Sequence, residues 1–93
     1  MLTANFTASV SFLQVSFTDT STGTPTSRVW DFGDGSPTSS ATNPVHTYAV
    51  EGRYTVILTV DDGLDTDVIS KTVRVTANNN SFQRTVSGEQ LTF

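Results

Sequence analysis

The chain contains no cysteine. No disulfide can tie its loops, no thiolate nucleophile can form, and no metal can be held through sulfur. Histidine occurs once, at His46, so a histidine-based metal site cannot be assembled, and any nucleophile-histidine-acid triad would have to run through that one ring. Lysine also occurs once, at Lys71, and five basic residues face nine acidic ones, for a formal net charge of −4. That balance, with a pI near 4.5, argues against a nucleic-acid partner, which needs clustered Lys and Arg to displace counterions, and against anionic membranes for the same reason. No stretch approaches the roughly 18 consecutive apolar residues of a spanning helix, so no membrane insertion is expected. Met1-Leu2-Thr3-Ala4-Asn5 lacks the basic-then-apolar order of an export signal. The expectation is either a mature or excised piece of an exported protein, or a self-standing product of a cytoplasm. A phosphate-binding glycine loop is missing too, and no cofactor is expected.

What the chain does have is aromatic mass and hydroxyls. Six Phe, two Tyr and one Trp in 93 residues allow one small core without staples, because each ring buries a large area. Thr and Ser recur throughout, which suits strands with a hydroxylated outer face. Helical periodicity appears nowhere. The organising stretch is Trp30-Asp31-Phe32-Gly33-Asp34-Gly35. Trp30 and Phe32, two apart on an extended strand, share a face and are expected to anchor the core. Gly33, Asp34 and Gly35 then supply the positive-φ tolerance of a tight turn out of the sheet.

In chain order, Phe6, Ala8 and Val10 alternate in one phase and Leu13, Val15 and Phe17 in the other, so a turn or bulge is expected near Ser11-Phe12. Residues 18–25 are rich in Thr, Gly and Pro and read as a loop. A third strand covers residues 27–32. Residues 36–44 read as a surface crossing with room for at most a short edge strand. Val45-His46-Thr47-Tyr48 forms a short strand, and Tyr54, Val56, Leu58 and Val60 alternate with Thr55, Ile57 and Thr59 as in a central strand with one buried face. Asp61-Asp62-Gly63 signals a hairpin, and Ile69, Lys71, Val73 and Val75 share one phase of the return strand. A lysine in the inward phase predicts an edge strand.

About seven short strands between turn signals predict an all-β, immunoglobulin-like sandwich without a disulfide. In such sandwiches a tyrosine near the start of the sixth strand bonds back to the backbone, two residues before a core cysteine. Gly52-Arg53-Tyr54-Thr55-Val56 has that spacing, with Val56 in the cysteine's place, and Trp30 takes the position of the core tryptophan.

These residues carry a resemblance. Val15-Ser16-Phe17-Thr18-Asp19-Thr20-Ser21, Trp30 through Gly35, Asn43-Pro44, His46-Thr47-Tyr48 and the run from Gly52 to Val60 are similar, in order and spacing, to a PKD domain (polycystic kidney disease repeat) over residues 4–76. The resemblance implies an immunoglobulin-like fold used as a spacer or interaction module in surface-layer proteins, adhesins, collagenases, chitinases and large receptors, with no catalysis of its own. Two departures stand out. The segment joining the first two strands is short, and the loop over residues 20–27 has no carboxylate, with Asp19 standing alone, so the calcium site of some bacterial members is not carried over.

Each group with chemical potential has a plainer use. Asp31 and Asp34 could form a glycosidase-like carboxylate pair, but Asp in a turn ordinarily accepts from local amides. His46 is expected to donate to a backbone carbonyl inside the sandwich. Asp61, Asp62, Asp65 and Asp67 could hold a hard cation, yet their spacing is no EF-hand and hairpin tips are commonly acidic. Asn5-Phe6-Thr7 and Asn79-Asn80-Ser81 are glycosylation sequons only if the chain enters a glycosylating pathway. The expected division is a domain over residues 1–77 and a tail or arm over 78–93. Phe82, Val86, Leu91 and Phe93 mark that tail as a candidate docking arm acting by β-augmentation, against a linker into a following module. Trp30, Phe32, Gly33, Asp34, Gly35, His46, Tyr48 and Tyr54 are then structural.

Two roles follow for a non-enzymatic module displayed on an extracellular surface or virion exterior. One is a subunit decorating a particle such as a phage virion, docked on capsid or neighbouring subunits, with a homo-oligomer in the assembly as one form of that docking. The alternative is a spacer, adhesion or polysaccharide-binding repeat excised from a secreted or cell-surface protein, with glycan as a possible partner.

Overall fold

The computed structural model describes residues 2–77. The expected docking arm, Phe82, Val86, Leu91 and Phe93, lies outside the described residues, as does Met1. Six strands run in chain order among the described residues: β1 (Phe6–Ser11), β2 (Gln14–Asp19), β3 (Ser27–Asp31), β4 (Val45–Thr47), β5 (Gly52–Asp61) and β6 (Thr66–Val75). They form two antiparallel three-stranded sheets, β1-β2-β4 and β3-β5-β6. The fold is the all-β sandwich read from the sequence. The approximate seventh strand is reduced to an isolated bridge between Trp30 and Ser39, closed by Trp30 N–H to Ser39 O at 2.8 Å. Pro37 and Pro44 bracket that crossing and withhold ladder donors.

β5 is the central strand of its sheet, and Val56, Leu58 and Val60 are fully buried, as alternation requires. Trp30 lies opposite Leu58 in the register and is also fully buried. Phe6 meets the indole edge-on at 5.2 Å and Phe17 tilts against it at 5.4 Å. Such aromatic pairs add about 0.5–1.5 kcal/mol each beyond area burial. Phe32 and Tyr48, just past the ends of β3 and β4, complete this end of the core.

The first strand differs from its periodicity. Only Phe6 of the Phe6, Ala8, Val10 phase is buried, because β1 is an edge strand and covers the core at its first residue alone. The phase change is resolved by a tight turn in which Phe12 takes φ 56°. That turn is tethered: Leu13 O accepts from Tyr48 N–H at 2.8 Å and Phe12 O from Thr76 N–H at 3.2 Å.

β6 is an edge strand, and its inward-phase Lys71 has a defined destination. The ammonium donates to Phe6 O at 2.5 Å and stands 5.1 Å from the Phe6 ring centroid, so its charge meets a carbonyl dipole and a π-face.

Candidate functional site

The turn after β3 collects the residues with the most chemical potential. Asp31 ends the strand, and its Oδ1 accepts the Gly33 N–H at 3.0 Å. Gly33 has φ 80°, and a Cβ there would lie 2.3 Å from Thr55 O. Glycine is thus required twice over, for conformation and for space. Asp34 Oδ1 accepts the Ser36 N–H at 3.1 Å and also the Ser36 hydroxyl.

The other oxygen of Asp34 reaches across the sandwich. Its Oδ2 lies 2.8 Å from His46 Nε2, on β4 of the opposite sheet. The His46 ring stacks on Phe32 at 4.1 Å with planes 5° apart, and meets Tyr48 edge-on at 4.6 Å. Tyr48 stacks in turn on Tyr54 at 4.2 Å. The two phenols finish the assembly: Tyr48 Oη donates to Phe32 O at 2.9 Å and Tyr54 Oη to Val50 O at 2.6 Å. Burial opposes ionisation of Asp34, but hydrogen bonds from Ser36 and His46, with the charge of His46, outweigh it and bring the carboxyl down to about 2. Burial, reinforced by the charge of Asp34, pushes the Tyr48 phenol far up.

The expectation for His46 is corrected here. Its partner is the Asp34 carboxylate rather than a backbone carbonyl, because β4 is only three residues long and sets the ring at the end of the sheet, against the turn. The order of the groups also matters. Hydroxyl, carboxylate and imidazole stand with the carboxylate in the middle, so Ser36 gives its hydrogen bond to Asp34 and not to the imidazole, unlike the order of a nucleophile-histidine-acid triad.

The acidic hairpin is similarly engaged. Asp61 Oδ1 accepts the Gly63 N–H at 2.6 Å and its Oδ2 the Thr66 hydroxyl at 2.6 Å, bonds that hold its carboxyl below the usual range. Asp62 Oδ1 accepts from Leu64 and Asp65, and these two amides lower that carboxyl too. Asp67 Oδ2 accepts the Ala4 N–H at 2.7 Å. Among the described residues no group of three or more His, Asp and Glu converges on a point where a metal could sit.

Asp19, the single carboxylate beside the loop over residues 20–27, has a basic partner. Its Oδ2 pairs with Arg28 Nε at 2.8 Å, while Arg28 Nη1 donates to the Thr42 hydroxyl. Burial opposes the ionisation of Asp19, but Ser21 and Arg28 prevail and lower it. Sequence reasoning missed this pair and the bond from His46 to Asp34, since both join segments separated by loops whose path carries no local pattern. The Trp30 Nε1 bond to Ala41 O, at 2.7 Å, escaped for the same reason.

Comparison with known proteins agrees with this architecture. The sequence profile described as PKD domain matches residues 3–77. The PKD1 domain of the Vibrio cholerae metalloprotease PrtV superposes with a TM-score of 0.76 at 37% identity, covering 81% of this chain and 96% of that one. The PKD1 domain of Vibrio anguillarum Epp gives 0.75 at 37% identity, over 81% and 93% of the two chains. A structure described as a carbohydrate-binding module of the β-sandwich superfamily gives 0.72 at 31% identity, with 82% of this chain and 34% of that one aligned. Among curated proteins, a microbial collagenase of Vibrio alginolyticus is 48% identical over 54 residues, which is 58% of this chain and 6% of the collagenase. Collagenase ColA of Bacillus cereus is 49% identical over 45 residues, or 48% and 5%. The match thus spans about a twentieth of these relatives.

Proposed function

The chain belongs to the PKD domain family, and from that premise we propose that it is a non-catalytic spacer and interaction module of an exported protein, holding neighbouring parts of that protein apart or against a surface. One observation carries the reading. The side chains that could perform chemistry, Asp31, Asp34, His46, Asp61 and Asp62, are consumed by the turns and by the join between the sheets. Collagen, the substrate that the relatives' names imply, lies outside cells, so the expected location is extracellular.

The relatives favour this second of the two roles over a subunit decorating a virion, whose grip on capsid would rest on Phe82, Val86, Leu91 and Phe93. Glycan binding draws support from the likeness to a carbohydrate-binding module. Yet the Trp30 and Tyr48 rings are fully buried and offer no stacking surface to a sugar.

The test is a comparison of the wild type with Asp31→Asn on panels of polysaccharides and of native and denatured collagen. The expected result is no hydrolysis by either protein, with a lower melting temperature for the variant. Turnover by the wild type that the substitution abolishes without unfolding would overturn the reading.

A further inference from the structure

The two ends of the β5-β6 hairpin carry contrasting charge, with two arginines at its open end and aspartates at its turn. Arg53 of β5 and Arg74 of β6 are direct cross-strand partners on the outer face, both exposed. Like charges placed opposite one another weaken a strand pair, and neither guanidinium has a carboxylate within ion-pair distance among the described residues. Of the four basic residues there, Arg28 is engaged by Asp19 and Lys71 by Phe6, so the free positive charge is concentrated at this one place. The pair borders an open depression of about 370 Å³ that Val75, Gly52, Thr76 and Glu51 complete. Glu51 accepts the Ala77 N–H at 3.2 Å.

The other end is acidic. Eight residues along β5, roughly 26 Å at the rise of a strand, lies the turn into β6. Leu64 projects from its tip, 95% exposed. Asp62 uses one carboxylate oxygen on the turn amides and keeps the other free, and Asp65 is exposed beside it. The polypeptide enters the sandwich at this acidic end, where Ala4 N–H meets Asp67, and leaves it at the arginine end, where Thr76 and Ala77 are held by Phe12 and Glu51.

We propose that the Arg53–Arg74 depression is the docking site for the β5-β6 turn of a second copy of this chain, which places Asp62 and Asp65 of that copy against the two guanidinium groups. The contact is head to tail, so it propagates along the sandwich axis instead of closing on itself. It is smaller than the interfaces of stable complexes and therefore weak between free molecules. It strengthens when copies are joined in one polypeptide, because linkage turns the second encounter into an intramolecular one. The inference needs only a second copy and stands whether or not the chain is part of a longer exported protein.

Sedimentation of the full chain over a rising concentration series, at low and high salt, tests it, together with backbone amide shifts. Self-association that salt weakens is expected, with shifts at residues 51–53 and 74–76 appearing together with those at 62–65. R53E/R74E and D65R change exposed positions, and they are expected to reduce self-association by about tenfold and about threefold respectively. An equimolar mixture of the two is expected to restore it, since the complementary ends then sit on different molecules. A chain that stays monomeric up to millimolar concentration overturns the proposal, as does association that survives both charge reversals. So does a citrate or sulfate titration that moves the arginine end while no self-association occurs, which would make the depression a simple anion site.

Discussion

The carboxylate of Asp34 and the imidazole of His46 meet at 2.8 Å across a sequence separation of twelve, joining the turn after β3 of one sheet to β4 of the other. With the Tyr48 hydroxyl on Phe32 O, this pair closes one end of the sandwich. The ionised Asp34 is favoured by the fold: its carboxyl is lowered to about 2 from an ordinary 3.8. A depressed folded-state pKa contributes stability above the unfolded value, which is lost as pH falls through the folded one. Urea unfolding midpoints are therefore expected to drop between about pH 4 and pH 2, and to drop less steeply in Asp34→Asn. Identical slopes for the two proteins would show that the pair does not contribute.

Trp30 is expected to be a determinant of stability and no ligand platform. It is fully buried against Phe6 and Phe17, so Trp30→Ala should lose about 3–5 kcal/mol, a large share of what such a small domain has. Native fluorescence should be blue-shifted and unchanged by added glycans. A red-shifted spectrum that iodide quenches would reverse the assignment.

Gly33 and Gly35 share the same φ of 80° yet differ in surroundings. Gly35→Ala meets nothing within 4 Å and pays only for the left-handed backbone, about 1–2 kcal/mol. Gly33→Ala adds a Cβ at 2.3 Å from a Thr55 backbone carbonyl that cannot yield without disturbing the central strand. Denaturation midpoints should rank wild type, Gly35→Ala, Gly33→Ala. Equal losses would mean that the turn shifts freely away from β5.

The two phenols differ in the same way. Tyr54→Phe removes an exposed bond to Val50 O and should cost about 1 kcal/mol. Tyr48→Phe strands the Phe32 carbonyl in the interior and should cost about 1–3 kcal/mol. Chemical denaturation of both variants measures the difference directly.

Much of this was legible from strand alternation. Val56, Leu58 and Val60 declared β5 because period-two burial on one face of a central strand leaves few other readings, and Tyr54 declared its backbone bond through spacing. Phe6, Ala8 and Val10 share a phase yet only Phe6 is buried, since alternation reports a shared face and not whether a second sheet covers it. The partners of His46, Asp19 and Trp30 Nε1 were hidden for another reason. Each lies across a loop whose path is set by the closed fold, so no local pattern announces it.

The placement of the basic residues bears on resistance to proteolysis. Within residues 2–77, the bonds after Arg28, Arg53, Lys71 and Arg74 are the ones a trypsin-like enzyme recognises, and all four residues sit inside β3, β5 or β6. Such an enzyme must draw several residues of free, extended backbone into its cleft, which a hydrogen-bonded strand does not release. Cleavage at these sites must then wait for the β3-β5-β6 sheet to open, so the digestion rate reports the opening of that sheet.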